Sequence, residues 1–403
     1  MKWKCCFLIS FAMGLLAFSS DSRADALFSG ANEYSFMWWA EGLRHSSKVF
    51  NIQTSRYGLS FDYDHFNLLK FGPIPNAPSE DQALIQNNSV IQGLYAAQLR
   101  CFVEQNGTKY AAVSASSDTA KCMLVESGKF IQRRWLEGIV LESGAPVGTM
   151  YLEMLAWPDR LSLVLYFTPD ASLSNAALVM ELDVDALFSQ FTVSGQAQAL
   201  MDTAGNAGYV VLTDHPSANI VCDTAQTKAT LRLPISSWTA GVEQSVALIV
   251  YPIANNCAAE LANIASIESA PLTITAQQTK PQVKTLTCYY SKRYGWYHVG
   301  LRNDSCGTYQ ESGNNRIERV NFSVSNPYAI QRPLRMSFYK ENGVCQVVGI
   351  SAMLCDSDYH PLGIPMQLSK NWHNGGDHRF DRVDWFRGST MIGISPQSTL
   401  NLN

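Results

Sequence analysis

The densest set of reactive side chains lies between residues 368 and 387, where Lys370, Trp372, His373, Asp377, His378, Arg379, Asp381, Trp385 and Arg387 crowd together. Two of the chain's seven histidines fall in this stretch. Imidazoles move protons near neutral pH, and carboxylates serve as bases or ligands. The expected roles are His373 or His378 as general acid or base, Asp377 and Asp381 as their acidic partners, and Lys370 as a charge stabiliser. Trp372 and Trp385 offer flat apolar faces to a sugar ring, and Arg379 and Arg387 suit acidic groups on it. Gly375-Gly376 lets the backbone turn freely there. The competing reading is a long solvated connection whose tryptophans pack as lids on the core.

Three smaller clusters invite the same question. Asp62, Asp64 and His65 sit in an alternating run that puts His65 on the face opposite the two carboxylates, which reads as a solvated strand rather than a metal site. Asp356, Asp358 and His360 share parity ahead of Gly363. Calcium is the metal such carboxylates suit, but it wants six to eight oxygens and only two carboxylates are adjacent. No other metal or cofactor is expected. His298 follows Trp296 and Tyr297 on a strand, where a satisfied core histidine is the common outcome.

Several chemistries are excluded by what is missing. The chain has no G-x-S-x-G elbow, no H-E-x-x-H helix, no P-loop and no G-x-G-x-x-G after a strand. Its formal charge is −4, from 30 Lys and Arg against 34 Asp and Glu, so no basic excess points to nucleic acid.

The N-terminus reads as an export signal over residues 1–24. Lys2 and Lys4 precede an apolar run from Cys5 to Phe18, and Ser22-Arg23-Ala24 offers a small-residue cleavage site. The run is too short to cross a hydrocarbon layer of about 30 Å. The mature chain is therefore expected to be periplasmic or extracellular, with no membrane span. Eight cysteines follow, an even number that fits disulfides in an exported protein. Nearest-neighbour pairing would join Cys101–Cys122, Cys222–Cys257, Cys288–Cys306 and Cys345–Cys355. The last pair needs a chain reversal near Gly349, because ten residues of strand would hold its ends about 33 Å apart.

Strand signals dominate from residue 47. Asn106-Gly107 marks a hairpin between the strands at 98–103 and 109–113. A second hairpin runs from 150–156 through Trp157-Pro158-Asp159-Arg160 to 161–167, whose second arm is apolar on both faces. Further strands are expected at 208–213, 230–233, 245–251, 272–276, 285–291, 296–301, 317–324, 334–339 and 345–354. One short helix is expected at 257–267, with Leu261, Ile264 and Ile267 inward. The polar run 277–282 separates two strand-rich regions. The chain thus reads as all-β: a leader (1–24), a large supersandwich-like domain (25–276) and a smaller jelly-roll-like β-sandwich (277–403). Ser398–Asn403 alternates like a strand with no evident neighbour, as a terminal edge strand or a truncated chain would leave it.

The Trp157-Pro158-Asp159-Arg160 hairpin resembles turns in the galactose-mutarotase-like supersandwich domains of carbohydrate-processing proteins. That resemblance implies a fold and carries over no catalytic residue; by itself the tetrapeptide shapes a tight turn. The run Gly363–His373 resembles uncharacterised secreted proteins and implies no activity. Taken together, the expected protein is exported and binds or processes carbohydrate, a hydrolase or lyase acting on a cell-surface or other glycan. The competing expectation is a non-catalytic adhesin, inhibitor or structural module, since sandwiches serve either purpose.

Overall fold

The computed structural model describes residues 30–40, 43–54, 56–62, 67–73, 98–114, 122–142, 144–280, 285–302, 319–341, 351–372 and 383–403. Residues 1–24, with the expected leader, fall outside them. Among the described residues the architecture is all-β with a single helix, and that helix is not long and apolar enough to cross a membrane.

Four antiparallel strands come first: β1 (Gly30–Ala40), β2 (Leu43–Gln53), β3 (Tyr57–Asp62) and β4 (Asn67–Pro73). β1 begins well before residue 47, where the sequence signals start, because its Met37-Trp38-Trp39 run breaks the apolar/polar alternation. Next come β5 (Gln98–Gln105), β6 (Thr108–Ser114), β7 (Cys122–Ser127), β8 (Gln132–Glu142), β9 (Ala145–Trp157) and β10 (Arg160–Pro169). They are followed by β11 (Leu173–Asp183), β12 (Gln190–Ser194), β13 (Ala197–Met201), β14 (Gly208–Thr213), β15 (Asn219–Asp223), β16 (Lys228–Trp238) and β17 (Gln244–Ile253). These thirteen make one antiparallel path, β12-β13-β14-β17-β10-β9-β8-β6-β5-β11-β16-β15, with β7 added on β8. The path doubles over, so that Leu163, Leu165 and Leu248 from one half share a core with Leu178, Met180 and Leu231 from the other. Burying each such side chain is worth about 1.5–3 kcal/mol. Tyr57, Leu59 and Phe71 of the opening strands close the same core.

Both expected hairpins form. Asn106 (φ 50°) and Gly107 (φ 83°) take the two left-handed positions that a tight two-residue turn requires. Trp157 pairs with Arg160 across Pro158-Asp159. β10 is apolar for a reason visible in its neighbours: Leu163 and Leu165 face the first core, while Val164 and Tyr166 face a second cluster under the helix. That helix, α1 (Cys257–Ser269), buries Cys257, Leu261, Ile264 and Glu268, a spacing that keeps one face inward. Glu268 takes the place expected for Ile267, because Arg160, Tyr251 and Tyr290 hydrogen-bond its carboxylate.

The second sandwich is built from β18 (Thr273–Lys280), β19 (Thr285–Ser291), β20 (Trp296–Arg302), β21 (Arg319–Asn326), β22 (Arg332–Glu341), β23 (Gln367–Trp372), β24 (Val383–Ile394) and β25 (Ser398–Leu402). One sheet runs β18-β21-β25 and the other β19-β20-β22-β24-β23, with β20 and β22 parallel. Phe322, Val324 and Leu402 from the first meet Val299, Met336 and Ile392 from the second. Gln277–Lys280 forms the end of β18, paired with β21. β25 also pairs with β21, which is the neighbour the sequence left unnamed. Residues 351–354, expected as strand, are irregular; the segment closes through a single bridge between Cys355 and Pro361.

One expected disulfide is ruled out by this layering. Cys222 on β15 packs against the first core, whereas Cys257 opens α1 in the second cluster, and both are free thiols. The β14–β17 layer, whose Val211 and Val250 face one cluster and Val210 and Ile249 the other, stands between them. Cys101, Cys288 and Cys355 are free thiols as well. The side chains of Cys122, Cys306 and Cys345 lie outside the description.

Candidate functional site

The described ends of the segment 368–387 are paired strands. Ser369 lies opposite Arg387, Lys370 opposite Phe386, Asn371 opposite Trp385 and Trp372 opposite Val383. His373, Asp377, His378, Arg379 and Asp381 fall outside the described residues, as do the side chains of Lys370, Trp372 and Trp385. Arg387 is described, and it faces inward: its Nη1 donates to Glu126 Oε2 at 2.8 Å and its guanidinium lies 4.4 Å over Trp296.

The Trp157–Arg160 turn does more than reverse the chain. Its side chains capture the turn that joins β19 to β20 in the second sandwich. Arg160 Nη2 donates to the carbonyls of Lys292 and Arg293, and Trp157 Nε1 donates to the carbonyl of Tyr294 at 2.9 Å. Gly295 completes the fit. It adopts φ +70°, and a Cβ there would stand 2.5 Å from Arg160 Nη1. Asp159 of the same turn holds Arg335 of β22. Phe130, Ile131, Leu155 and Trp157 pack with Trp296 and Met391 around these bonds.

Docked in this way, the turn delivers Tyr294 to the outer face of the large sheet. Glu153 is fully buried there, and three groups meet its carboxylate. Arg133 Nε donates to Oε1 at 2.5 Å, while the Tyr166 and Tyr294 hydroxyls donate to Oε2 at 2.8 and 3.2 Å. The two phenol oxygens lie 3.3 Å apart. Burial raises both phenol pKa values and the Glu153 charge raises them further, so both stay protonated at neutral pH. Arg133 also lies 3.6 Å from Glu126, which is bound to Arg387, so the cations and carboxylates alternate along the junction.

Beside this hub lies an aromatic surface. Trp135 stacks on Tyr166 with centroids 5.3 Å apart and 18° between planes, and Tyr151 meets its edge at 6.1 Å. Arg133, Trp135 and Tyr151 are half-buried, the outward positions of β8 and β9, whose alternate residues face the core. Arg293 frames the other side, bound to Asp214 at 2.5 Å and to Ser245 at 2.9 Å. A flat apolar platform next to a proton-bearing phenol can stack a sugar ring and exchange a proton with one of its oxygens.

His298 is not the satisfied core histidine expected. Its Nδ1 is buried without a hydrogen-bond partner among the described residues, and desolvation followed by the Arg387 charge pushes its pKa down to about 4. Asp356, Asp358 and His360 do converge, with ligand atoms within 4.8 Å. The Asp356 carboxylate, however, is already bonded by the N–H groups of Asp358 and His360. Of the cluster at 62–65, no side chain is described.

Sequence reading missed Glu153, Arg133, Tyr166, Tyr294 and Trp135. For the four on β8 to β10 the available signal was polar and aromatic residues at outward positions, but only pairing three strands shows that they share a face; Tyr294 comes from the turn between β19 and β20.

No family model matches the chain, and no curated protein matches it. Among solved structures it is similar to a galactose mutarotase-like protein from Clostridium acetobutylicum (TM-score 0.31, 8% identity, covering 55% of this chain and 98% of that one). It is also similar to a 4-alpha-glucanotransferase from Thermococcus litoralis (TM-score 0.33, 10% identity, 55% of this chain) and to heparan sulfate lyase HepC from Pedobacter heparinus (TM-score 0.30, 9% identity, 69% of this chain). The matched parts make up 40% and 41% of those two enzymes.

Proposed function

We propose that this is an exported protein that binds and processes carbohydrate at the junction of its two sandwiches. Trp135 serves as the stacking platform and Tyr294 as the proton-transfer group. The observation that carries this reading is the placement of Tyr294, from the second sandwich, on Glu153 and Tyr166 of the first beside half-exposed Trp135. A group held at that level of organisation is expected at a site for chemistry, since Glu153 and Tyr166 both fix its hydroxyl. The hydroxyl can turn from Glu153 to protonate a departing glycosidic oxygen, and solvent water returns the proton afterwards. Hydrolysis and β-elimination both need that step. The 373–382 segment, with His373, Asp377, His378 and Asp381, is carried by the β23–β24 hairpin whose Arg387 ends at Glu126. It belongs to the same reading as a second source of ligand contacts.

The test is to screen the protein against soluble neutral and acidic polysaccharides, reading binding and product release separately. Tyr294→Phe is expected to keep binding and lose product release by two or more orders of magnitude, the usual span for a lost acid–base group. Binding without any product in the wild type would instead support the non-catalytic alternative, an adhesin-like or structural glycan binder. No binding by the wild type would sink both readings.

A further inference from the structure

The ring system at Trp135 does not stop at Tyr294. Tyr294 contacts Trp296 at 4.9 Å, Arg387 lies 4.4 Å over Trp296 and 5.7 Å from Tyr339, and Tyr339 meets His298 at 5.9 Å. His298 in turn meets Tyr289 at 4.9 Å, directly opposite it in register between β19 and β20. The run therefore dips under the junction at buried Trp296 and emerges on the second sandwich at Tyr289, which is 52% exposed.

The emerging end is a row of rings. Tyr289, His298 and Tyr339 stand on neighbouring strands β19, β20 and β22, about 4.8 Å apart per strand step. Their planes are tilted by 40° and 36° from one to the next, so each ring leans on its neighbour. Gly300 gives the imidazole its room. A Cβ there would lie 2.6 Å from His298 Nε2 and 2.5 Å from Thr287 Oγ1, so any side chain would lift the imidazole off the sheet. Among the described residues the other groups on this face are exposed Thr287, Gly300, buried Ser337 and Arg387, none of them aliphatic.

We infer that Tyr289, His298 and Tyr339 form a second saccharide-stacking subsite, so that the ligand is an extended glycan chain engaging both sandwiches rather than a single sugar. This rests on the carbohydrate reading above and extends it. Its support is continuity: each ring or guanidinium contacts the next, from a half-exposed platform on one sandwich to an exposed one on the other. At neutral pH the imidazole is uncharged, which suits it to stacking and to accepting a hydroxyl hydrogen bond.

The experiment uses the full-length protein and graded-length oligosaccharides of β-glucan, mannan, xylan and polygalacturonate, with affinities measured by calorimetry. Tyr289→Ala is a surface change that leaves the cores untouched. It is expected to weaken the longer oligomers about tenfold, the worth of one lost aromatic contact, and to leave the shortest bound oligomer unchanged. Trp135→Ala is expected to weaken every length. If Tyr289→Ala leaves all lengths unchanged while Trp135→Ala weakens them, the second subsite is refuted and the first stands. If Trp135→Ala also changes nothing, or the wild type binds none of these probes, the carbohydrate reading itself falls.

Discussion

Asp159 and Arg335 form a two-point ion pair across the sandwich junction, Nε to Oδ1 at 2.9 Å and Nη2 to Oδ2 at 2.5 Å, with both side chains at most 6% exposed. Burial alone would raise the Asp159 carboxyl pKa; the Arg335 charge and hydrogen bonds outweigh it and hold the pKa below the usual range. Asp159→Asn should therefore leave a buried guanidinium without its counter-charge and cost about 3–5 kcal/mol of unfolding free energy. Denaturant titration checks this. A paired Asp159→Leu, Arg335→Met variant should recover most of the loss, because no charge is left stranded. Equal losses in the single and double variants would contradict the assignment.

Gly295 offers a test of how the β19–β20 turn docks. An added methyl meets the Arg160 guanidinium and also occupies a left-handed conformation. Gly295→Ala is expected to cost on the order of 1–3 kcal/mol. Its diagnostic signature is functional: Tyr294 should lose its placement, so product release should fall as in Tyr294→Phe. A stable variant with full activity would mean that the turn does not position Tyr294.

His298 gives a pH dependence with a definite sign. Its pKa is lowered to about 4 in the fold against an ordinary value of 6.5, so the unfolded chain binds the proton more readily. The contribution is complete above pH 6.5 and is lost as the pH falls toward 4. Arg387, which repels the protonated ring, and Tyr289 and Tyr339, which flank it, are the groups that face it. His298→Gln should flatten this part of the stability profile. A wild-type profile with no fall between pH 6.5 and 4 that His298 explains would count against the burial described here.

The cysteines can be read directly. Burial raises the thiol pKa of Cys222 and Cys257 to about 12 each, so both should resist alkylation in the native state. After denaturation without reductant, both should label. A peptide cross-linked between Cys222 and Cys257 would overturn the layering that keeps them on opposite sides of the sheet.

Much of the fold was legible because strands announce themselves locally. The Asn106-Gly107 turn, the doubly apolar arm 161–167 and the helix from Cys257 all carry their cause within a dozen residues. Ile267 was expected inward, and Glu268 is buried in its place because it pairs with Arg160, more than a hundred positions away. The same holds for the site. Trp157, Asp159 and Arg160 looked like turn residues because a turn is their local role, while their side chains serve the second sandwich. The stretch 368–387 drew attention by composition, yet its ends are strands paired with each other, and the pairing of β24 with β22 is revealed by no local pattern. Tyr294 and Glu153, which meet at 3.2 Å, stand 141 positions apart.

The most direct measurement is a crystal structure of the protein bound to an oligosaccharide selected from the glycan screen. A sugar ring lying on Trp135, with one of its oxygens within hydrogen-bond reach of the Tyr294 hydroxyl, is the expected result. A saccharide seated elsewhere, with Trp135 and Tyr294 both untouched, would contradict the junction as the site.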